Sequence, residues 1–423
     1  MQPAHEAVRR RRRLDGPLLR SAVTVLVLVP VCVLFVQLWR GTSADVAFAQ
    51  REREGVAYLA ALNELTVALV DAQSAAVARQ PVNAEALTRA LAAVAEVDQR
   101  IGASLRAQQR WTSLRAAVEA LPDRRFDEPT AAFDAYRETT DLLLAHYDRI
   151  RESSNLVRDP EGDAYHLSDG AAEELPEALI ATGRFADLAV LLPTRPAQER
   201  PLALVELIGA TSDILSPADD LASNVQAAVE STDSRTMSSN LLTQVDRFQR
   251  SMDAIAAAAA VLNTAAAELT RAAQSDDDSS DGTGTSTGGD GDGDGDSGDD
   301  DRESGAAAVP DLGQLVALRG EAQASAAELA GTMLVELDGL LADRISGSQR
   351  DQWLSVGVLI LAVGLVSVPV LITYGTAAGP RTPPAGTGPT DGPPATGGRT
   401  GPADDADRVT SDSRQWEPTV AAR

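Results

Sequence analysis

The densest grouping of chemically capable side chains lies in one short stretch, where Asn155, Asp159, Asp163, Tyr165, His166 and Asp169 follow one another. An amide, three carboxylates, a phenol and an imidazole can together hydrogen-bond and ion-pair with a small polar molecule, so these six are the candidate ligand-binding residues. Pro160 disfavours helical backbone at Asp159, so the chain should turn there and open a new helix soon after. On that helix Tyr165 and Asp169 stand four apart on one face, and Asp163 and His166 share another. A purely structural use of the same residues competes with binding. In it, Asn155 and Asp159 cap helix ends while Tyr165 fills a core with its hydroxyl satisfied.

Catalysis and metal ligation find less support. The histidines are His5, His146 and His166. His146 with Asp148, or His166 with Asp163, offers two donors, short of the spaced ligand set of a zinc site, so neither a metal nor another cofactor is expected. No Gly-rich phosphate loop follows a strand and no Gly-x-Ser-x-Gly elbow occurs, so no residue is assigned a catalytic role and the chain is not read as an enzyme. The run from Asp290 to Asp296 alternates Asp with Gly like the early part of an EF-hand loop. It lacks the closing Glu after flanking helices, and mutually repelling, solvated linker is the better account. A net charge of −25 argues against nucleic acid, which needs a basic face.

The elements that must position these residues read as helices throughout. Tyr58, Leu62, Leu65, Leu69, Ala72 and Ala76 recur in steps of four and three, one face of a helix. Pro81 ends that helix and Asn83 caps the next, whose apolar positions run through Leu87, Leu91, Val94 and Ile101 to Leu121. A third helix is expected from Thr130 to Val157, a fourth from Asp159-Pro160 to near Pro193, and a fifth over 201–231. Leu241, Val245, Phe248, Met252, Ile255, Ala259, Leu262, Ala266 and Leu269 keep a coiled-coil-like 4-3 spacing, a seam for partner helices within or between chains. Helical spacing returns from Leu315 to Ile345. The fold class expected is all-α: a long antiparallel helical bundle, as two stacked modules or as a single bundle with a kinked helix. A homodimer suits such a bundle.

Two apolar segments, residues 19–39 and 353–373, are each long enough to cross a bilayer and make the lipid bilayer a partner. Arg9 to Arg13 precede the first and hold the N-terminus on the cytoplasmic side. The chain then divides into a basic cytoplasmic N-terminus (1–18), a first span (19–39), an extracytoplasmic helical region (42–274), a disordered Asp/Gly-rich linker (275–309), a last helix (310–350), a second span (353–373) and a disordered cytoplasmic tail (374–423). A cleaved signal peptide is the competing reading of the first segment, because Ala47-Phe48-Ala49 has a small-x-small pattern. Cys32, the single cysteine, lies inside the first span, so the region between the spans holds no disulfide. All 37 basic residues are Arg, which carries no functional reading.

The stretch SNLVRDPEGDAYHLSD over 154–169, followed by ELPE over 174–177, resembles the SNLxxDPxxDxYxLxD…LP pattern of the extracytoplasmic sensor domains of bacterial methyl-accepting chemotaxis proteins and related sensor kinases. REREGVAYL over 51–59 likewise resembles the start of the first helix of those domains. Where they carry a His-Arg-Gly type element, this chain reads Asp71-Ala72-Gln73-Ser74. Those receptors continue past the second span into a HAMP linker and signalling helices, whereas here Gly375, Gly379-Pro380 and Pro383-Pro384 follow. The resemblance implies a membrane-anchored, ligand-binding sensor without its own output domain, acting through a separate membrane signalling partner. The alternative is a structural or scaffolding membrane protein that keeps a receptor-derived helical bundle and binds no ligand.

Overall fold

A computed structural model describes residues 16–196, 198–232, 234–279 and 312–376. Arg9 to Arg13, residues 280–309 of the expected linker and the tail beyond 376 lie outside the described residues. Two compact units divide the chain, Met1–Val368 and Pro369–Arg423. Of the second, only 369–376 are described, and they are helical.

Among the described residues every regular element is helical: α1 (Gly16–Val77), α2 (Ala84–Ile101), α3 (Gln108–Ala120), α4 (Pro129–Ser153), α5 (Gly162–Asp169), α6 (Leu175–Leu191), α7 (Arg200–Ser231), α8 (Arg235–Ser279) and α9 (Leu312–Thr376). A single π-helical turn, Gly170–Glu174, joins α5 to α6. Within unit 1, α1 and α9 each contain a stretch long and apolar enough to cross a membrane. Their apolar side chains stand exposed, Leu26 and Leu361 among them, as lipid-facing residues would. Pro30 sits inside α1 without ending it, which membrane helices tolerate.

Local chemistry accounts for the boundaries. Arg79 adopts a left-handed φ of 56° before Pro81 stops α1, and the Asn83 side chain accepts a hydrogen bond from the Ala86 N–H at 3.0 Å to start α2. Pro129 and Pro176 take first-turn positions of α4 and α6, where their missing N–H costs nothing.

Three expected helix bounds need correction here. The helix read from Asn83 to Leu121 is two helices, broken between Ile101 and Gln108, with Arg106 at φ 50°. The break buries Leu105 and Ala107 completely and lets α2 and α3 pack on each other, which one straight helix cannot do. The third helix also ends early, at Ser153, because Asn155 turns left-handed. At the other end of the region, α8 continues to Ser279, past the expected boundary at 274.

The stripe Tyr58, Leu62, Leu65, Leu69 and Ala72 is buried, and α1 packs on α2, α4 and α6. α6 packs on α7, and α7 on α5 and α8. Five contacts fix α9 antiparallel to α1 over its length: Gln352 with Ser43 (3.2 Å), Arg344 with Glu52 (3.1 Å), Arg53 with both Asp338 oxygens (2.7 and 2.8 Å) and Arg319 with Asp71 (3.6 Å). α8 pairs with α9 in the same sense through Asn240–Glu336 (2.8 Å), Gln244–Glu328 (2.8 Å) and Ser251–Ser325 (3.0 Å). Of the seam on α8, Leu241 to Leu262 is buried against this core, while the side chains of Ala266 and Leu269 lie outside the description.

Candidate functional site

The turn between α4 and α5 is built by two residues the sequence singled out. Asn155 takes φ 71°, a left-handed conformation that Asn accepts more readily than most residues. Asp159, extended before Pro160, folds its carboxylate back to accept the Glu161 N–H at 2.9 Å. That carboxylate is fully buried and meets a cation from a distant part of the chain. Arg344 of α9 donates from Nη2 to Asp159 Oδ1 at 2.9 Å and from Nη1 to Glu52 Oε2 of α1 at 3.1 Å, and pairs with Glu161 at 2.9 Å. The Glu52 side chain is also fully buried. One oxygen of each buried carboxyl, Glu52 Oε1 and Asp159 Oδ2, has no hydrogen-bond partner. Burial, with repulsion from Asp159 next, pushes the Glu52 carboxyl up to about 8 against the opposing pull of Arg344.

Directly above this clamp, Gly55 lets α1 meet the end of α4. A Cβ there would lie 2.4 Å from Ser154 Cβ, so only glycine allows the approach. The two stretches that resemble receptor motifs, 51–59 and 154–169, are therefore neighbours in space.

The other candidate residues face elsewhere. Asp163 Oδ1 accepts the Ala164 N–H at 2.8 Å and does not pair with His166. Tyr165 is only half-buried, not in the core, and meets the His166 ring edge-on at 5.2 Å. His166 Nδ1 hydrogen-bonds Asn224 Oδ1 of α7 at 2.8 Å. Asn224 in turn donates to Glu174 Oε1 at 2.8 Å. Asp169 accepts from Arg151 Nη1 of α4 at 2.6 Å, and Glu173 accepts from the same group.

Carboxylate oxygens of Asp169, Glu173 and Glu174 come within 4.8 Å of one another, the spacing of a cation site. Arg151 already supplies a positive charge there. Glu174 has one buried oxygen without a partner, and burial pushes it up to about 7. The π turn brings this cluster together. Its Gly170 admits Met333 of α9 and Leu221 of α7, whose methyl carbons would stand 2.6 and 2.9 Å from a Cβ. Such π turns recur at functional sites.

His146 does not join Asp148. It points into the core, 3.1 Å from the Tyr58 hydroxyl, which donates to Asp98 at 3.0 Å. Burial and the nearby Arg110 lower His146 to about 4, so it stays neutral. Asp98 also lines an open groove of about 370 Å³ with Trp111 and Arg115.

The chain matches no protein-family model, no curated protein and no solved structure. The receptor resemblance therefore rests on the two quoted stretches alone.

The six candidates do not form one pocket. Asp159 belongs to the clamp on α1 and α9, His166 and Asp169 to the cluster on α4 and α7, and Asn155 and Asp163 serve the backbone. Glu52, Arg344, Arg151, Asn224 and Glu174 are partners the sequence reading missed. Two of them left a signal. Ala49, Glu52, Val56 and Leu59 are buried in a 3-4-3 register, and Leu334, Leu337, Leu341 and Arg344 keep the same spacing, so each charge occupies a core position.

Proposed function

We propose that the protein is a two-pass membrane sensor of the chemoreceptor type. In this reading a long antiparallel helical bundle stands outside the membrane with both termini cytoplasmic. The state of the bundle passes through the two spans to a separate signalling partner, within a homodimer. The single observation that supports it is Arg344, which ties both helices that carry apolar spans to the motif turn at Asp159. A change at that turn has a short physical route to the spans, because small shifts between packed helices are an established switching mode. The scaffolding alternative has no need for a buried charge cluster at this place.

Full-length protein in lipid nanodiscs provides the test, with Cys32 replaced by Ser and spin labels on Gly41→Cys and Gly357→Cys, two positions where an added side chain meets nothing within 4 Å. Asp159→Asn should change the inter-label distance distribution. An unchanged distribution would remove the coupling and leave the scaffold.

A further inference from the structure

We propose that the Arg344-centred clamp is a proton-binding site, so that the signal read by this domain is the pH around it. The inference rests on the sensor reading and names its ligand class. Three carboxyl groups, Glu52, Asp159 and Glu161, converge on one guanidinium. Glu161 is half exposed and keeps its water, but the Glu52 and Asp159 side chains are at 0% exposure.

With every group ionised the clamp would bury two negative charges against a cation that Glu161 also draws upon. An excess charge held away from water is relieved most cheaply by taking up a proton. The geometry shows where it goes. Arg344 satisfies one oxygen of each buried carboxyl, and the two oxygens left over, Glu52 Oε1 and Asp159 Oδ2, are buried and unpartnered. A proton on Glu52 turned toward Asp159 supplies the missing donor, as in paired acids that share one proton. Burial and Asp159 both favour that protonated form.

The charged groups that act most on Glu52 belong to the clamp: Asp159 and Glu161 from the turn and Arg344 from α9. Two neighbouring charges on α1 are held elsewhere. Arg53 is held by both oxygens of Asp338, and Glu54 accepts from Ser104 at 2.7 Å. Loss of the proton in alkaline surroundings leaves two carboxylates facing each other across Arg344. Glu52 then gains by reaching water, which moves α1 against α9 on the side leading to the spans.

The same doubly labelled full-length protein tests this from pH 5.5 to 9. Wild type should move between two distance distributions with a midpoint above 7. Glu52→Gln, neutral and of equal size, should stay in the acidic distribution throughout. A wild-type distribution that does not change over this range overturns the proton inference, even where Asp159→Asn shifts it and the sensor reading stands. A Glu52→Gln protein that titrates like wild type overturns it as well. Should Glu52→Gln fail to fold, the wild-type titration alone decides.

Discussion

Replacing Arg344 by methionine takes the one cation away from two buried carboxyls, and the size of the loss follows from the contacts. Glu52, pushed up to about 8, is already neutral at pH 7. Asp159 is the group left stranded, its buried side chain losing the 2.9 Å donor. Keeping it charged would cost about 3–5 kcal/mol, the usual loss when one partner of a buried ion pair is removed. At pH 7 the variant should therefore lose about 3–5 kcal/mol. For a helical region of this size that is a fall in melting temperature of roughly 6–20 °C. Adding Asp159→Asn removes the stranded charge and should restore most of the loss. Circular dichroism melts of the full-length protein in nanodiscs at pH 7 measure both the loss and the recovery. A fall of under about 2 °C, or a double variant no more stable than the single one, would refute the reasoning.

Four further outcomes are expected from the same melts. Gly55→Ala should destabilise by about 1–3 kcal/mol because its Cβ meets Ser154 Cβ at 2.4 Å, an atom fixed to the backbone, and overpacking at such a contact cannot relax. Gly170→Ala should cost about 1 kcal/mol or less, since Met333 Cε and Leu221 Cδ1 end flexible side chains that can swing away; equal costs at the two glycines would contradict this. His146, lowered to about 4 by burial, binds a proton less readily folded than unfolded, so stability should fall as pH drops from about 6.5 toward 4, by up to about 3 kcal/mol. His146→Gln should lose that dependence, and an unaltered acid slope would count against it. Glu174 works in the opposite sense. Pushed up to about 7, it holds its proton better folded, so its contribution is full in acid and lost as pH rises through 7. Glu174→Gln should flatten that part of the profile, and a slope identical to wild type would rule the assignment out.

Much of the fold was legible because it depends on local spacing. The buried face of α1 at Tyr58, Leu62 and Leu65 has the period of a helix, and Asn83 and Pro81 mark the ends of two helices through chemistry confined to a few residues. The break before Gln108 was not legible. Apolar positions continue through it with helical spacing, and only the packing of α2 on α3 makes two helices better than one. The half-buried Tyr165 misled for a related reason, since an aromatic at helical spacing suits a core whether or not a neighbour covers it.

The candidate site divides in the same way. Composition and order alone set apart the polar stretch from Asn155 to Asp169, the turn at Pro160, the all-helical character and the two segments of membrane-spanning length. The tertiary structure decided which of those polar groups act together. It gave Asp159 to Glu52 and Arg344, and His166 and Asp169 to Asn224 and Arg151. Periodicity tells which face of a helix is buried, but the partner of that face is chosen by packing among all the helices. Here the decisive contacts join positions 185 and 292 residues apart in the chain, across which no local pattern reaches.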